Sequence, residues 1–221
     1  MVAGDLAEFC VKLPKIELHA HINGSISPDT MRLLVERKKD ITPSLAQFRI
    51  PEKLDKIEDF FPLFKFIYQL TDDEEAIQIA TKNVIDEFAK DGVQYLELRT
   101  TPRQNIETGM TKQSYLAAVL SAVNQPRDDI IVRLIVSIDR RNTLEQAHEV
   151  VDLALQFRAD GVVGIDLCGD VLAGNFDLLK PAFVRAQSEG FKVTLHFNEI
   201  TDRDIKNMFN VIFTEYKHLI W

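Results

Sequence analysis

The sequence predicts an α/β fold of parallel βα units, and three observations predict it. From residue 93 onward, short apolar runs alternate with amphipathic helical segments. The runs are near-continuous rather than alternating, as strands covered on both faces are. Each run finishes in polar or chargeable residues. These are His19 and His21 on the first, then Glu97, Arg99, Thr100, Thr101 and Arg103 on the second. Asp139, Arg140 and Arg141 end the third, Asp166, Gly169 and Asp170 the fourth, and His196, Asn198 and Glu199 the fifth. A (β/α)8 barrel assembles its active site at the C-terminal ends of its strands. A doubly wound sheet also binds ligands there, but the chain has neither a G-x-G-x-x-G nor a G-x-x-x-x-G-K-[ST] motif. A dinucleotide or P-loop fold is therefore disfavoured, and the polar strand ends fit the site of a (β/α)8 barrel.

The elements follow in order. The run Pro14–Ser25 reads as a short strand ending in His19 and His21 and breaking at Asn23-Gly24. Ser27-Pro28-Asp29 starts a helix through about Lys38, with Ser27 as its cap and Pro28 where no N–H is needed. Residues 40–56 are mixed. Phe60, Phe61, Phe64, Phe66, Ile67 and Leu70 then recur at mostly helical spacing, as core or as the wall of a ligand pocket. Thr71-Asp72-Asp73-Glu74 opens the next helix with acidic residues, as the macrodipole favours. Strands are expected at 93–99, 130–139, 162–167 and 192–196, and helices at 111–123, 143–159 and 176–189. No linker interrupts this series, so residues 11–200 read as one barrel-type domain. Residues 1–10 read as a flexible N-terminus, and residues 201–221 as a helix or divergent tail.

Composition excludes several classes. The chain has 221 residues, 46% hydrophobic and 27% charged, which suits a globular domain with a core. A net charge of −8 argues against a nucleic-acid polymer or an anionic membrane as partner. Cys10 and Cys168 are far apart in sequence, which fits a reducing compartment rather than a disulfide scaffold. The N-terminus lacks a secretory h-region and no apolar run is of membrane-spanning length, so a cytosolic protein is expected.

The histidines carry the chemistry. Side chains alternate along a strand, so His19 and His21 share a face, ~6.8 Å apart along the strand axis. They are either half of a divalent-metal site or polar residues at a strand end. His196 offers a third imidazole, and Glu199 follows it by three residues. Three neutral nitrogens and a nearby carboxylate suit metal-assisted hydrolysis, in which the metal acidifies water and the carboxylate moves protons.

The motifs PKIELHAHINGS, DGVQYLELRTTPR, TGMTK, GIDLCGD and VTLH with Glu199 resemble the adenosine and AMP deaminase superfamily, most of all its N6-methyl-AMP deaminase group. The likeness covers nearly all of residues 11–200 and implies an α/β TIM-type (β/α)8 barrel of the metal-dependent hydrolase type, of which this sequence supplies about five of eight βα units. It implies one zinc per chain on His19, His21 and His196, and Glu199 as catalytic proton carrier. It also implies substrate contacts from His21, Asn23, Thr100, Thr101, Pro102, Arg103, Asp139, Gly169 and Glu199, with Thr100, Thr101, Pro102 and Arg103 at the ribose and phosphate end, where two hydroxyls and a guanidinium suit a phosphate; a capped loop with a solvated Arg is the alternative. The implied reaction is hydrolytic removal of the 6-amino or 6-alkylamino group of N6-methyl-AMP-like nucleotides, giving IMP and an amine, by a monomer. Adenosine as substrate, or a fragment that only binds ligand or partner, are the alternatives. The family's later His-Gly and Ser-x-Asp-Asp elements are not found in residues 1–221, so the sequence reads as a C-terminally truncated form. Tyr68 stands where this group is expected to have a His facing the phosphate.

Overall fold

Helix starts in this protein are set by side chains that accept from the first free backbone N–H groups. In the computed structural model, which describes residues 3–48, 60–170 and 173–196, Ser27 caps α2 (Pro28–Lys38) by accepting from the Thr30 N–H. Asp73 caps α4 (Glu74–Lys90) through the Ala76 N–H at 2.8 Å. Thr111 and Ser114 form a reciprocal capping box on α5 (Lys112–Val123), as do Thr143 and Gln146 on α6 (Leu144–Gln156). Asn175 caps α7 (Phe176–Ser188). The strands are β1 (Lys15–His21), β2 (Val93–Thr100), β3 (Ile131–Asp139), β4 (Val162–Cys168) and β5 (Lys192–Leu195). In the sheet they follow chain order, β1-β2-β3-β4-β5.

Where the sequence reads as one domain, the chain's contacts divide into two compact units. The first comprises Met1–Leu98 with Arg103–Arg133. In it α4 packs on α5, and α2 on both α3 (Phe60–Leu70) and α4. Its core holds Ile22, Leu34, Leu70, Ile77, Ile85, Leu96, Tyr115 and Leu116, all sealed from solvent. Phe66 and Ile67 of α3 are buried, so these aromatic-stripe positions are core. β1 does not follow the pattern expected of a strand covered on both faces: Ile16 is 68% and Leu18 43% exposed. The first ten residues, expected as a flexible lead-in, include most of a helix, α1 (Ala3–Lys12). A Cβ on Gly92 would collide with the Val11 carbonyl oxygen, and the residue has φ +85°, so the turn between α4 and β2 requires glycine.

The second unit comprises Arg99–Pro102 with Leu134–Trp221. Here β3 pairs parallel with β4, and β4 with β5. Leu134, Ile138, Ile165 and Leu167 are fully buried, and α6 and α7 pack on each other and on the strands. The register places Ser137 opposite Asp166, and Asp166 opposite Thr194. A row of three polar side chains thus crosses β3, β4 and β5. The helix expected to run to Ala159 stops at Gln156 and tightens into a 3-10 turn, Arg158–Asp160, before Gly161.

Candidate metal and substrate site

In the first unit, β1 delivers both of its histidines to one place. The His19 and His21 rings lie 5.5 Å apart between centroids, tilted by 49°. The His19 backbone N–H donates to the Glu17 carboxylate at 2.6 Å. The strand then turns, the Ser25 N–H donating to the Ile22 carbonyl, and buries Ile22 completely. Two imidazoles at a strand end are a donor set suited to a divalent metal. Next to them Asn23 has an enclosed Oδ1 with no hydrogen-bond partner among the described residues.

In the second unit, His196 follows β5 directly. Its Nδ1 lies 2.9 Å from the Leu167 carbonyl oxygen and 3.2 Å from Asp166 Oδ1. Both neighbours are acceptors, so Nδ1 carries the proton in the neutral ring and Nε2 keeps the lone pair. Arg140 donates to the His196 carbonyl and its own side chain is buried.

Asp166 is fully buried and accepts four hydrogen bonds. They come from Thr194 Oγ1 at 2.7 Å, Arg99 Nη1 at 3.1 Å, Ser137 Oγ at 3.2 Å and His196 Nδ1. Burial alone would raise its pKa. The His196 hydrogen bond, the charge of Arg99 and the Thr194 hydroxyl outweigh burial and hold the carboxyl below its usual range. In the sequence Asp166 and Arg99 stand out only as strand-end residues without an assignable role. Their signal was a charged residue inside an apolar run, in GIDLC and LELRT.

Asp139 and Gly169 are brought together at the ends of β3 and β4. A Cβ on Gly169 would stand 2.8 Å from Asp139 Oδ1, at φ +100°. Arg141 grips the Asp139 carboxylate through Nε at 2.8 Å, Nη2 at 2.6 Å and its backbone N–H. Burial pushes the Asp139 pKa up, but these bonds and the charges of Arg141 and Arg140 bring it below the ordinary value. Thr100 and Pro102 are buried, and Thr101 Oγ1 lies 3.3 Å from the Cys168 sulfur. The Cys168 thiol is pushed up to about 12, first by burial and then by the Asp166 charge, which leaves it a packing residue rather than a nucleophile.

Arg103 belongs to the first unit, where its fork is already engaged. Nη2 donates to the Thr71 hydroxyl at 2.7 Å and to the Thr71 carbonyl at 3.0 Å. The guanidinium lies 4.4 Å from the Tyr68 ring centroid and 5.4 Å from that of Tyr115. Tyr68, where a His was expected, is thus the platform on which Arg103 rests. Glu199 lies outside the described residues, as do residues 201–221.

A model of the adenosine deaminase family matches residues 14–207. The chain belongs to the adenosine deaminase family. Within the family it is 45% identical over 200 residues to the N6-methyl-AMP deaminase of Danio rerio, an alignment covering 87% of this chain and 57% of that one. It is 43% identical over 205 residues to the N6-methyl-AMP deaminase of Homo sapiens, covering 89% and 57%. The chain therefore spans 57% of the length of these relatives. The crystal structure of Arabidopsis N6-mAMP deaminase superposes with a TM-score of 0.81 at 38% identity, covering 92% of this chain and 64% of that one. Arabidopsis ADAL complexed with GMP superposes at 0.83 with the same identity and coverage. A Burkholderia ambifaria amidohydrolase with bound Zn, 23% identical with a TM-score of 0.71, shares the fold. In this adenosine deaminase family member the five strands and their helices are part of a (β/α)8 barrel.

Proposed function

We propose that this chain belongs to a zinc-dependent hydrolytic deaminase of purine nucleotides. The reaction is N6-methyl-AMP plus water to IMP plus methylamine, with related 6-amino and 6-alkylamino nucleotides as further substrates. The observation that carries the reading is the 43–45% identity to N6-methyl-AMP deaminases, together with the paired imidazoles of His19 and His21. In the proposed site His19, His21 and His196 hold one zinc ion. The donor chemistry fits: β1 offers two rings side by side, and the bonds to Leu167 and Asp166 leave His196 with Nε2 as its lone-pair atom. Bound there, zinc would make water acidic enough to be a nucleophile near neutral pH.

The chain's own residues do the rest of the work in this reading. Glu199 takes and returns the proton that the purine ring needs at N1 as C6 changes hybridisation. Gly169 offers its backbone to the ring, its missing side chain leaving room for the Asp139 carboxylate beside it. Asp139, already fixed by Arg141, is a rigid acceptor for the ligand. His21 and Asn23 approach the substrate from β1, and Asn23 Oδ1 is an acceptor for a substrate hydroxyl. Thr100, Thr101, Pro102 and Arg103 line the ribose and phosphate end. The protein would work as a monomer in the cytosol, where Cys10 and Cys168 would stay free thiols. Among the described residues no helix is long and apolar enough to cross a membrane.

A specific observation keeps free adenosine as a second reading. Arg103 Nη2 is engaged by Thr71, so less of the guanidinium fork remains for a phosphate. Turnover of N6-methyl-AMP and of N6-methyladenosine by the same preparation, followed by the absorbance change to the inosine-type product, separates the two. The proposal expects the nucleotide to be favoured by at least ten-fold in kcat/KM, about 1.4 kcal/mol of discrimination. Equal turnover would move the assignment to the nucleoside, and no turnover of either would overturn the deaminase reading.

A further inference from the structure

The polar row Ser137–Asp166–Thr194 has no apolar reason to be inside the sheet. Three parallel strands give up packing at the same level to place these side chains opposite one another. Ser137 and Asp166 are fully buried, and Arg99 is 3% exposed. A buried carboxylate is retained only when its oxygens are satisfied. Here Oδ1 receives Thr194, Arg99 and the His196 ring, and Oδ2 receives Ser137. Three of the four donors hold the carboxylate still. The fourth, His196, is the group held by it.

We propose that Asp166 is the positioning residue for His196: steadied by Arg99, Thr194 and Ser137, it locks the imidazole with Nδ1 protonated and Nε2 left as the lone-pair atom for metal. This rests on the metal reading above and deepens it. The geometry argues for positioning rather than simple stability. Asp166 and the Leu167 carbonyl both accept at the same ring nitrogen. Two acceptors on one nitrogen fix both the ring plane and the tautomer, and ligand histidines need their other nitrogen held in this way. A purely structural carboxylate would be satisfied by Arg99, Thr194 and Ser137 alone.

The test uses the whole chain, free of metal and then titrated with Zn2+. Nitrogen-15 NMR of the imidazoles reads the His196 tautomer directly in the metal-free protein, whether or not it later binds zinc. Wild type is expected to show Nδ1–H and an unprotonated Nε2. Asp166→Asn replaces one acceptor oxygen by a donor, and is expected to shift the ring to a tautomer mixture and weaken zinc affinity 10–100-fold. Thr194→Val keeps the ion pair with Arg99, so it serves if the Asn variant does not fold. It is expected to loosen the carboxylate and weaken zinc binding several-fold. An Nε2–H tautomer in wild type overturns the inference. So does a wild-type tautomer and zinc affinity in folded Asp166→Asn or Thr194→Val protein. Failure of wild type to bind zinc is a different result: it sinks the metal reading, and with it the purpose of the lock, while the NMR tautomer still reports whether Asp166 sets the ring.

Discussion

Gly169 and the Asp139 carboxylate meet so closely that a Cβ at residue 169 would stand 2.8 Å from Oδ1. The φ of +100° independently reserves the position for glycine. Gly169→Ala is therefore expected to cost about 1–3 kcal/mol of stability, the range for a non-glycine residue held in a sparsely populated backbone region. It should also push the Asp139 carboxylate away from Arg141. Denaturant unfolding of the two proteins measures the first effect. A change below 0.5 kcal/mol (roughly the scatter of a neutral surface substitution) would show that the turn relaxes without hindrance.

The buried pair of Arg99 and Asp166 gives a second expectation. Removing one partner strands the other charge out of water, at a cost of about 3–5 kcal/mol. Arg99→Met should thus be strongly destabilising, while Arg99→Met combined with Asp166→Leu should recover much of the loss. A double-mutant cycle on unfolding midpoints tests this. Additive losses in the double variant would mean that the two groups do not depend on each other.

Asp73 carries a pH dependence whose sign follows from its partners. Burial raises its pKa, but the Ala76 N–H, Arg37 and Lys38 outweigh burial and leave it below the usual value. The folded pKa therefore lies below the unfolded one. The stabilisation is complete above the unfolded value of about 3.9 and is lost as pH falls through the folded value. Asp73→Ala should cost about 1–2 kcal/mol at pH 7, as loss of a helix cap does, and the gap should close in acid below pH ~4. Thermal or denaturant unfolding of both proteins between pH 3 and pH 7 checks it. A gap that persists unchanged into acid would assign the effect to packing.

Tyr68 and Arg103 couple the core to the proposed phosphate end. Tyr68→Leu removes the ring under the guanidinium and should cost about 0.5–1 kcal/mol, since Tyr68 is partly exposed. Arg103→Ala should raise KM for the nucleotide and leave KM for the nucleoside nearly unchanged. A parallel rise for both substrates would make Arg103 a structural clamp between β2 and the α3–α4 junction, and nothing more.

Much of this was legible in the sequence where the signal is local. Ser27-Pro28, Asp73 ahead of an acidic turn, Thr111 and Thr143 each mark a helix start because capping depends on a few adjacent residues. The His19–Ala20–His21 spacing shows two rings on one face because the strand period is two. What depends on register was not legible. Ser137, Asp166 and Thr194 are 29 and 28 residues apart in sequence, and only strand pairing makes them neighbours. Arg103 reads as an exposed phosphate ligand because nothing near it in sequence announces Thr71 or Tyr68. Helix α1 was not expected, although Leu6 and Phe9 stand at helical spacing; with Val11 they stay about half exposed in the structure.

The central claim is that His19, His21 and His196 hold a catalytic zinc in this adenosine deaminase family member. Elemental analysis after Zn2+ titration and desalting tests it most directly, on the wild-type chain and on the His19→Ala/His21→Ala double variant. The account predicts about one zinc per wild-type chain and essentially none in the variant. Zinc retained equally by both, or absent from a folded wild-type chain, would contradict it.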